Sequence, residues 1–374
     1  MKFAILVLLG WAGAALADIT VGVSVSMTGP GTSLGVPISN TFPLLPKTIG
    51  SEPVRYILLD DASDPTTGAK VANRLVSEEK VDVIIGSSTV PVAIGQGGVA
   101  NESRVALLAL CPIPIDPQKQ TYVFAIPQPV PLMIAAVAEH MRANNVKNVG
   151  YIGFADPWGD LNLKAITASG TSAGIQITTN ERFNRNDTSV TAQVLRVLST
   201  DPDAVFVGGA GTPGALPHIA LSERGFKKLV YNTHGVVNRD FIRVGGKGVE
   251  GAIAPTGPVV VAEQLPAEHP LKQVGTEFVK RYEAAYGAGS RNAFAGYAHD
   301  AVAVITAAVP AALRSAKPGS AEFRQALRDS IEAVKDVRGT HAVYNMSPRD
   351  HTGVDERARV LVRVENGDWK LVKP

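Results

Sequence analysis

From residue 130 onward the chain alternates between helical and strand-like stretches, and this alternation limits the fold more than any other feature. Helical periodicity covers 130–144, 159–173, 190–200 and 215–224, and short apolar runs lie between and after them at 149–153, 176–182, 204–208 and 229–231. Strands that alternate with helices in this way predict a parallel sheet covered on both faces. The earlier part reads alike, with strands at 19–25, 55–60, 81–85, 105–109 and 122–126 and helices at 66–79 and 90–100. A short helix at 39–48 is expected to be weakened by Pro43 and Pro46. The expected fold class is α/β, with two doubly wound parallel-sheet lobes.

A length of 374 residues suits two domains better than one. Pro127-Gln128-Pro129 breaks the strand at 122–126 and marks a first crossing between lobes. The extended stretch 249–261, with Pro255 and Pro258, suits a second. The helices at 270–286, 297–315 and 320–334 then need a surface, which the first lobe supplies. Strand-like runs at 339–344, 360–365 and 369–372 are expected to return to the second lobe. The expected division is residues 18–126 with 257–337 in the N-terminal lobe and 127–256 with 338–374 in the C-terminal lobe.

Met1-Lys2, an apolar stretch at 3–12 and Ala15-Leu16-Ala17 ahead of Asp18 have the order of a secretory signal peptide, residues 1–17, cleaved after Ala17. No cysteine follows that point to take a lipid, and no later run holds about twenty unbroken apolar residues. A soluble periplasmic protein is expected. The formal charge is +2, and removal of Lys2 takes it to +1. Scattered, nearly balanced charge gives no footprint for nucleic acid or an anionic membrane. Cys111 is the only cysteine, so an intramolecular disulfide is impossible.

Catalytic signatures are weak. The seven histidines show no H-x-x-H or H-E-x-x-H spacing, and neither G-x-S-x-G nor a P-loop occurs. No catalytic residue, metal or cofactor is expected. The glycine-rich run 208–214 follows a strand and precedes a helix, but Pro213 interrupts it and argues against a dinucleotide site. Asp60, Asp61 and Asp64 lack the further oxygen ligands of a calcium loop and read as solvated capping residues before the helix at 66–79.

What remains is a set of loops at the carboxyl ends of parallel strands, where open α/β sheets bind ligands. They are 27–34, 87–89, 109–112, 154–159, 209–212 and 233–235, from both halves of the chain. The sharpest is the second. A buried strand at 81–85 stops at Gly86, and Ser87, Ser88 and Thr89 stand where N-cap hydroxyls precede a helix led by Pro91. Such a start is an ordinary capped helix or, with N–H groups left open, a cradle for an anion. A cleft lined from two lobes in this way describes a clamp on a small molecule.

Several stretches, taken in order, carry a family likeness: I-T-V-G-V-S-V-S-M-T-G-P at 19–30, L-D-D-A-S-D-P at 59–65, I-G-S-S-T at 85–89, D-P-W-G at 156–159 and Y-A-H-D-A at 297–301. Together they resemble the type I periplasmic solute-binding proteins of branched-chain amino acid ABC transporters. The resemblance spans nearly the whole chain after the leader and implies two lobes joined by a three-segment hinge. It also implies a monomer without enzymatic activity, whose partners are a small-molecule carboxylate ligand and an inner-membrane ABC permease with its cytoplasmic ATPase. By the same resemblance Ser87, Ser88 and Thr89, with the next strand end from Ala109 to Cys111, grip the ligand carboxylate. Trp158 packs on the ligand from the second lobe, or else caps its own lobe's core. Ala210 and Thr212 occupy a contact position there.

This chain departs from the pattern at informative places. His234 stands where amino acid binders carry a carboxylate for the ligand ammonium, and Leu34 falls where leucine-binding members have an aromatic residue. Ser63 and Gly86 replace the cysteines with which some members form a disulfide. An imidazole pairs poorly with ammonium but can donate to an oxygen. The expected ligand is therefore an acid without an amino group, of the benzoate or hydroxycinnamate type, with an amino acid or amide as the alternative and a sensor input as another. His234 either meets that ligand or is bonded within its own loop.

Overall fold

The computed structural model describes residues 18–372, so the leader expected at 1–17 lies outside it. The first sheet is built from β1 (Ile19–Val25), β2 (Thr48–Ile49), β3 (Glu52–Asp60), β4 (Val83–Gly86), β5 (Ala106–Ala109) and β6 (Val123–Ala125), with α1 (Thr32–Thr41), α2 (Pro65–Ser77) and α3 (Val90–Ser103) between them. Its strand order is β2-β3-β1-β4-β5-β6, parallel except for β2. Val83, Ile84 and Ile85 are wholly buried, as a central strand covered on both faces requires. Each contributes roughly 1.5–3 kcal/mol of hydrophobic stabilisation.

The second sheet follows α4 (Val130–Ala143). It takes β7 (Asn148–Phe154), α5 (Pro157–Ala173), β8 (Gln176–Phe183), α6 (Thr191–Leu198), β9 (Ala204–Gly208), α7 (Ala215–Glu223), β10 (Leu229–Asn232), α8 (Arg239–Gly245) and β11 (Ile253–Thr256). The chain then leaves it for α9 (Lys272–Tyr286), α10 (Ala293–Leu313) and α11 (Ala321–Glu332), forms the pair β12 (Val337–Arg338) and β13 (Val343–Tyr344), and ends in β14 (Val360–Glu365) and β15 (Asp368–Leu371). The strand order is β15-β14-β11-β10-β9-β7-β8, and only β14 and β15 run antiparallel to their neighbours. The two-lobed, doubly wound α/β class expected from the alternation is the fold observed.

Several expectations are corrected. The first helix spans Thr32–Thr41 rather than 39–48, because Gly29 and Gly31 begin the turn with the Thr32 N–H on the Gly29 carbonyl at 3.1 Å, which places Leu34 on the helix. The strand-like run at 339–344 does not enter the second sheet: β12 and β13 pair only with each other. The reason is Asp300 on α10, wholly buried, whose carboxylate accepts the backbone N–H groups of Thr340 at 2.6 Å and His341 at 2.9 Å. Farther on, His351 stacks on Phe124 of β6 and Ala125 N–H donates to its carbonyl, holding that stretch against the first sheet. α10 is long and apolar enough to cross a membrane by composition, yet it carries this buried carboxylate and packs between α1 and α11 as a core helix.

The segments that join the sheets are stitched together. Tyr297 of α10 donates to Gln128 Oε1 at 2.8 Å, Gln128 Nε2 donates to the Ala358 carbonyl at 2.6 Å, and Tyr344 donates to the Ile126 carbonyl at 3.2 Å. The Tyr297 ring also stacks on His341 at 4.1 Å. Burial alone would push the Asp300 carboxyl up, but the His299 hydrogen bond, the neighbouring imidazoles and the Thr340 N–H hold it below the usual range.

Candidate functional site

The turn after β4 is shaped by Gly86, whose φ is +151° and where a Cβ would lie 2.1 Å from the Ser24 carbonyl oxygen. Only glycine fits so close an approach. The three hydroxyls that follow have different fates. Ser87 donates to Asp61 Oδ2 at 2.6 Å and faces the lobe interior. Ser88 accepts the Ser26 N–H at 3.0 Å. Thr89 occupies the N-cap position of α3, but its side chain caps nothing, and its buried Oγ1 has no hydrogen-bond partner. The start of a fourteen-residue helix is thus left open beside an unused hydroxyl.

Asp61 corrects the reading of the acidic cluster. Asp64 does cap α2 by accepting the Thr67 N–H at 2.7 Å, and Asp60 accepts the Met27, Thr28 and Ala62 N–H groups. Asp61 is wholly buried and accepts from the hydroxyls of Ser26 at 2.7 Å and Ser87 and from the Ser63 N–H at 3.0 Å. Burial raises its carboxyl pKa, against the pull of those donors. It is a buried fastener behind the ligand-facing turn, not a solvated cap.

Across from Thr89, Trp158 stands in the first turn of α5, capped by Asp156. Its indole N–H donates to the Gly209 carbonyl at 3.1 Å, and its ring is 3% exposed. His234 follows β10, where Thr233 Oγ1 accepts the Gly235 N–H at 3.1 Å and fixes the turn. The imidazole meets Trp158 edge to face, and no hydrogen bond holds it within its own loop. Burial pushes its pKa down to about 3, so the ring is neutral at ordinary pH.

These groups close on a space of only about 20 Å³, room for a water rather than a solute and far below the roughly 300–1,000 Å³ of small-molecule sites, so the lobes meet closely here. Of the residues expected to bind, Leu34, Ser88, Thr89, Cys111, Trp158, Ala210 and His234 line it. Ser87, Ala109 and Thr212 do not. Ser87 is spent on Asp61, and Ala109 lies inside β5 with its carbonyl accepting the Ile126 N–H. Thr212 instead donates its N–H to Ser33 Oγ at 3.2 Å and joins the lobes directly. Burial pushes the Cys111 thiol up and keeps it protonated. A wider open groove between α10 and α11, along Ala307, Ala311 and Gln325, contains none of the strand-end loops.

Sequence reasoning missed Arg185, Phe294 and Tyr297, which also line the cleft. Arg185 lies in the loop after β8, a strand end of the second lobe's parallel core that is not among the six loops. Phe294 and Tyr297 form the hinge-side wall, because α10 begins at Ala293. Among the described residues no aspartate or glutamate lines the cleft.

A cleft between two doubly wound lobes, walled by strand ends from both, defines a two-lobed solute-binding protein. The family model for periplasmic binding proteins matches residues 18–368, and the chain belongs to that family. It is 26% identical to Leu/Ile/Val-binding protein homolog 3 of Brucella melitensis over 259 residues, covering 66% of this chain and 69% of that one. Among solved structures it superposes on Rp1789 of Rhodopseudomonas palustris strain CGA009 with a TM-score of 0.94 at 43% identity, over 96% of this chain and 100% of that one. An extracellular ligand-binding receptor of Rhodopseudomonas palustris HaA2 gives 0.93 at 43%, with the same coverage. A solute-binding protein of Rhodopseudomonas palustris solved with benzoate gives 0.77 at 18%, covering 95% of this chain and 96% of that one, a likeness of fold.

Proposed function

We propose that the protein is the substrate-binding component of an ABC importer, exported with cleavage after Ala17, which clamps an aromatic carboxylate of the benzoate or hydroxycinnamate type between its lobes. The observation that carries this reading is the unpartnered Thr89 hydroxyl at the uncapped start of α3, facing a cleft whose lining among the described residues holds no carboxylate. An anion gains there from the helix dipole and open N–H groups. An ammonium group would find no counter-charge. Trp158, His234, Phe294 and Tyr297 supply an aromatic, largely apolar lining for a ring. Ser87 and Asp61 brace the anion grip from behind, and the hinge stitched through Tyr297 and Gln128 lets the lobes close.

A thermal-shift panel tests this. A ligand at about a hundred times its dissociation constant adds roughly 2.7 kcal/mol and raises the melting point. Benzoate-like and phenylpropenoid acids are expected to raise it, and leucine, isoleucine and valine are not. The reverse pattern would make the protein an amino acid receptor, the role in the names of its Brucella relatives, and would refute the proposal.

A further inference from the structure

We infer that Arg185 is the specificity-determining residue that takes the ligand's carboxylate from the second lobe, so that the solute's own charge bridges the two lobes. This rests on the proposed acid-binding function and adds the group that selects for it.

A guanidinium carries five N–H donors in a planar fork. In Arg185 only Nε is spent, on Asp156 Oδ2 at 2.7 Å, and neither terminal nitrogen has a protein hydrogen bond among the described residues. The group is held still: its central carbon lies 4.3 Å from the Phe154 ring centroid, and its side chain is 14% exposed. The free edge, Nη1 and Nη2, has the geometry that receives a carboxylate through two parallel hydrogen bonds. Asp156 takes only the Nε edge of the fork, while its other oxygen accepts the Gly159 N–H at 3.1 Å and caps α5.

Topology puts this fork on the correct side of the cleft. β8 is the edge strand of the second sheet next to β7, and β5 and β6 lie at the corresponding edge of the first. Ser33, after β1, meets Thr212, after β9, at the middle of the two sheets, and Arg185 and Cys111, after β8 and β5, both line the cleft to one side of that contact. Its charge is felt at Cys111, where it opposes the rise that burial imposes on the thiol. A carboxylate at the open start of α3 therefore has hydroxyls on the first-lobe side and a guanidinium on the other. The same cation repels an ammonium, which is selection against the wrong solute as well as for the right one.

The test titrates benzoate and 4-hydroxycinnamate, with benzamide and methyl benzoate as uncharged counterparts, into wild type, Arg185→Met and Arg185→Lys by calorimetry. Arg185→Met is expected to weaken the acids about 100-fold and the uncharged analogues by less than about 3-fold. Arg185→Lys, which keeps the charge without the fork, is expected to recover only part of the loss and serves if the methionine variant folds poorly. Acid affinity unchanged in Arg185→Met, or acids and uncharged analogues weakened equally, overturns the role of Arg185 while leaving the proposed function standing. A wild-type protein that binds leucine and none of the acids overturns the proposed function, and this inference with it.

Discussion

The rings of Trp158 and His234 meet edge to face, with centroids 5.2 Å apart and planes at 90°, so the second lobe offers one pre-formed wall rather than two independent side chains. The indole is anchored by its bond to the Gly209 carbonyl, and the imidazole is shielded from water by the indole. That shielding fixes the ring's protonation state, and the consequence can be measured.

His234 binds its proton near pH 3 in the folded protein, chiefly through burial and secondarily through the His341 charge, and His218 near 4. Unfolded histidines bind theirs at about 6.5. Between those values the unfolded chain holds more protons, so stability rises with pH and is lost as pH falls through about 6.5 towards 3. Each histidine contributes a slope of up to about 1.4 kcal/mol per pH unit. In denaturant melts from pH 7 to 4, His234→Gln is expected to flatten this slope. Acid binding should be insensitive to pH between about 5 and 8 as far as His234 is concerned. A titration midpoint near 6.5 in the ligand affinity would show that the ring protonates in the complex and would refute this.

Thr89→Val keeps the side-chain shape and removes a hydroxyl that has no partner in the protein. Stability is expected to stay within about 1 kcal/mol of wild type, because no protein hydrogen bond is lost. Affinity for the acid is expected to fall by about 10-fold or more, the worth of one hydrogen bond to a charged group. Calorimetry and thermal melts on the same preparation separate the two effects, and an unchanged dissociation constant would remove Thr89 from the grip.

Asp61→Ala strips the acceptor from the buried hydroxyls of Ser26 and Ser87 and from the Ser63 N–H. A cost of about 3 kcal/mol or more follows from leaving such groups unpaired in the interior. Urea denaturation measures it. A loss below about 1 kcal/mol would mean that Asp61 does not fasten the turn.

Much of the fold could be read from periodicity, because a parallel strand buried on both faces leaves an unbroken apolar run such as Val83 to Ile85. The first helix was displaced in that reading because the Gly-rich residues 28–31 resemble a loop while forming the turn into a helix. The run at 339–344, which holds β13, is assigned to the wrong sheet because strand propensity does not say which sheet a strand joins; the buried Asp300, far away in sequence, decides that. Asp61 was the same kind of failure, since two adjacent aspartates look alike until one of them points inward. The first lobe's contribution to the cleft followed from its strand–turn–helix signature. Arg185 did not, because its loop after β8 has no glycine or hydroxyl signature, and only the paired sheet edges bring it opposite Cys111.

The Thr212 N–H on Ser33 Oγ is a contact between the lobes that no solute supplies. It favours the shut form of an empty receptor as much as that of a loaded one, by an amount on the order of 1 kcal/mol. A transporter that reads closure as its cue would spend ATP on every vacant closure. Ser33→Ala should therefore raise the contrast between empty and loaded receptor at some cost in apparent affinity, making this bond a setting for idle turnover rather than for recognition.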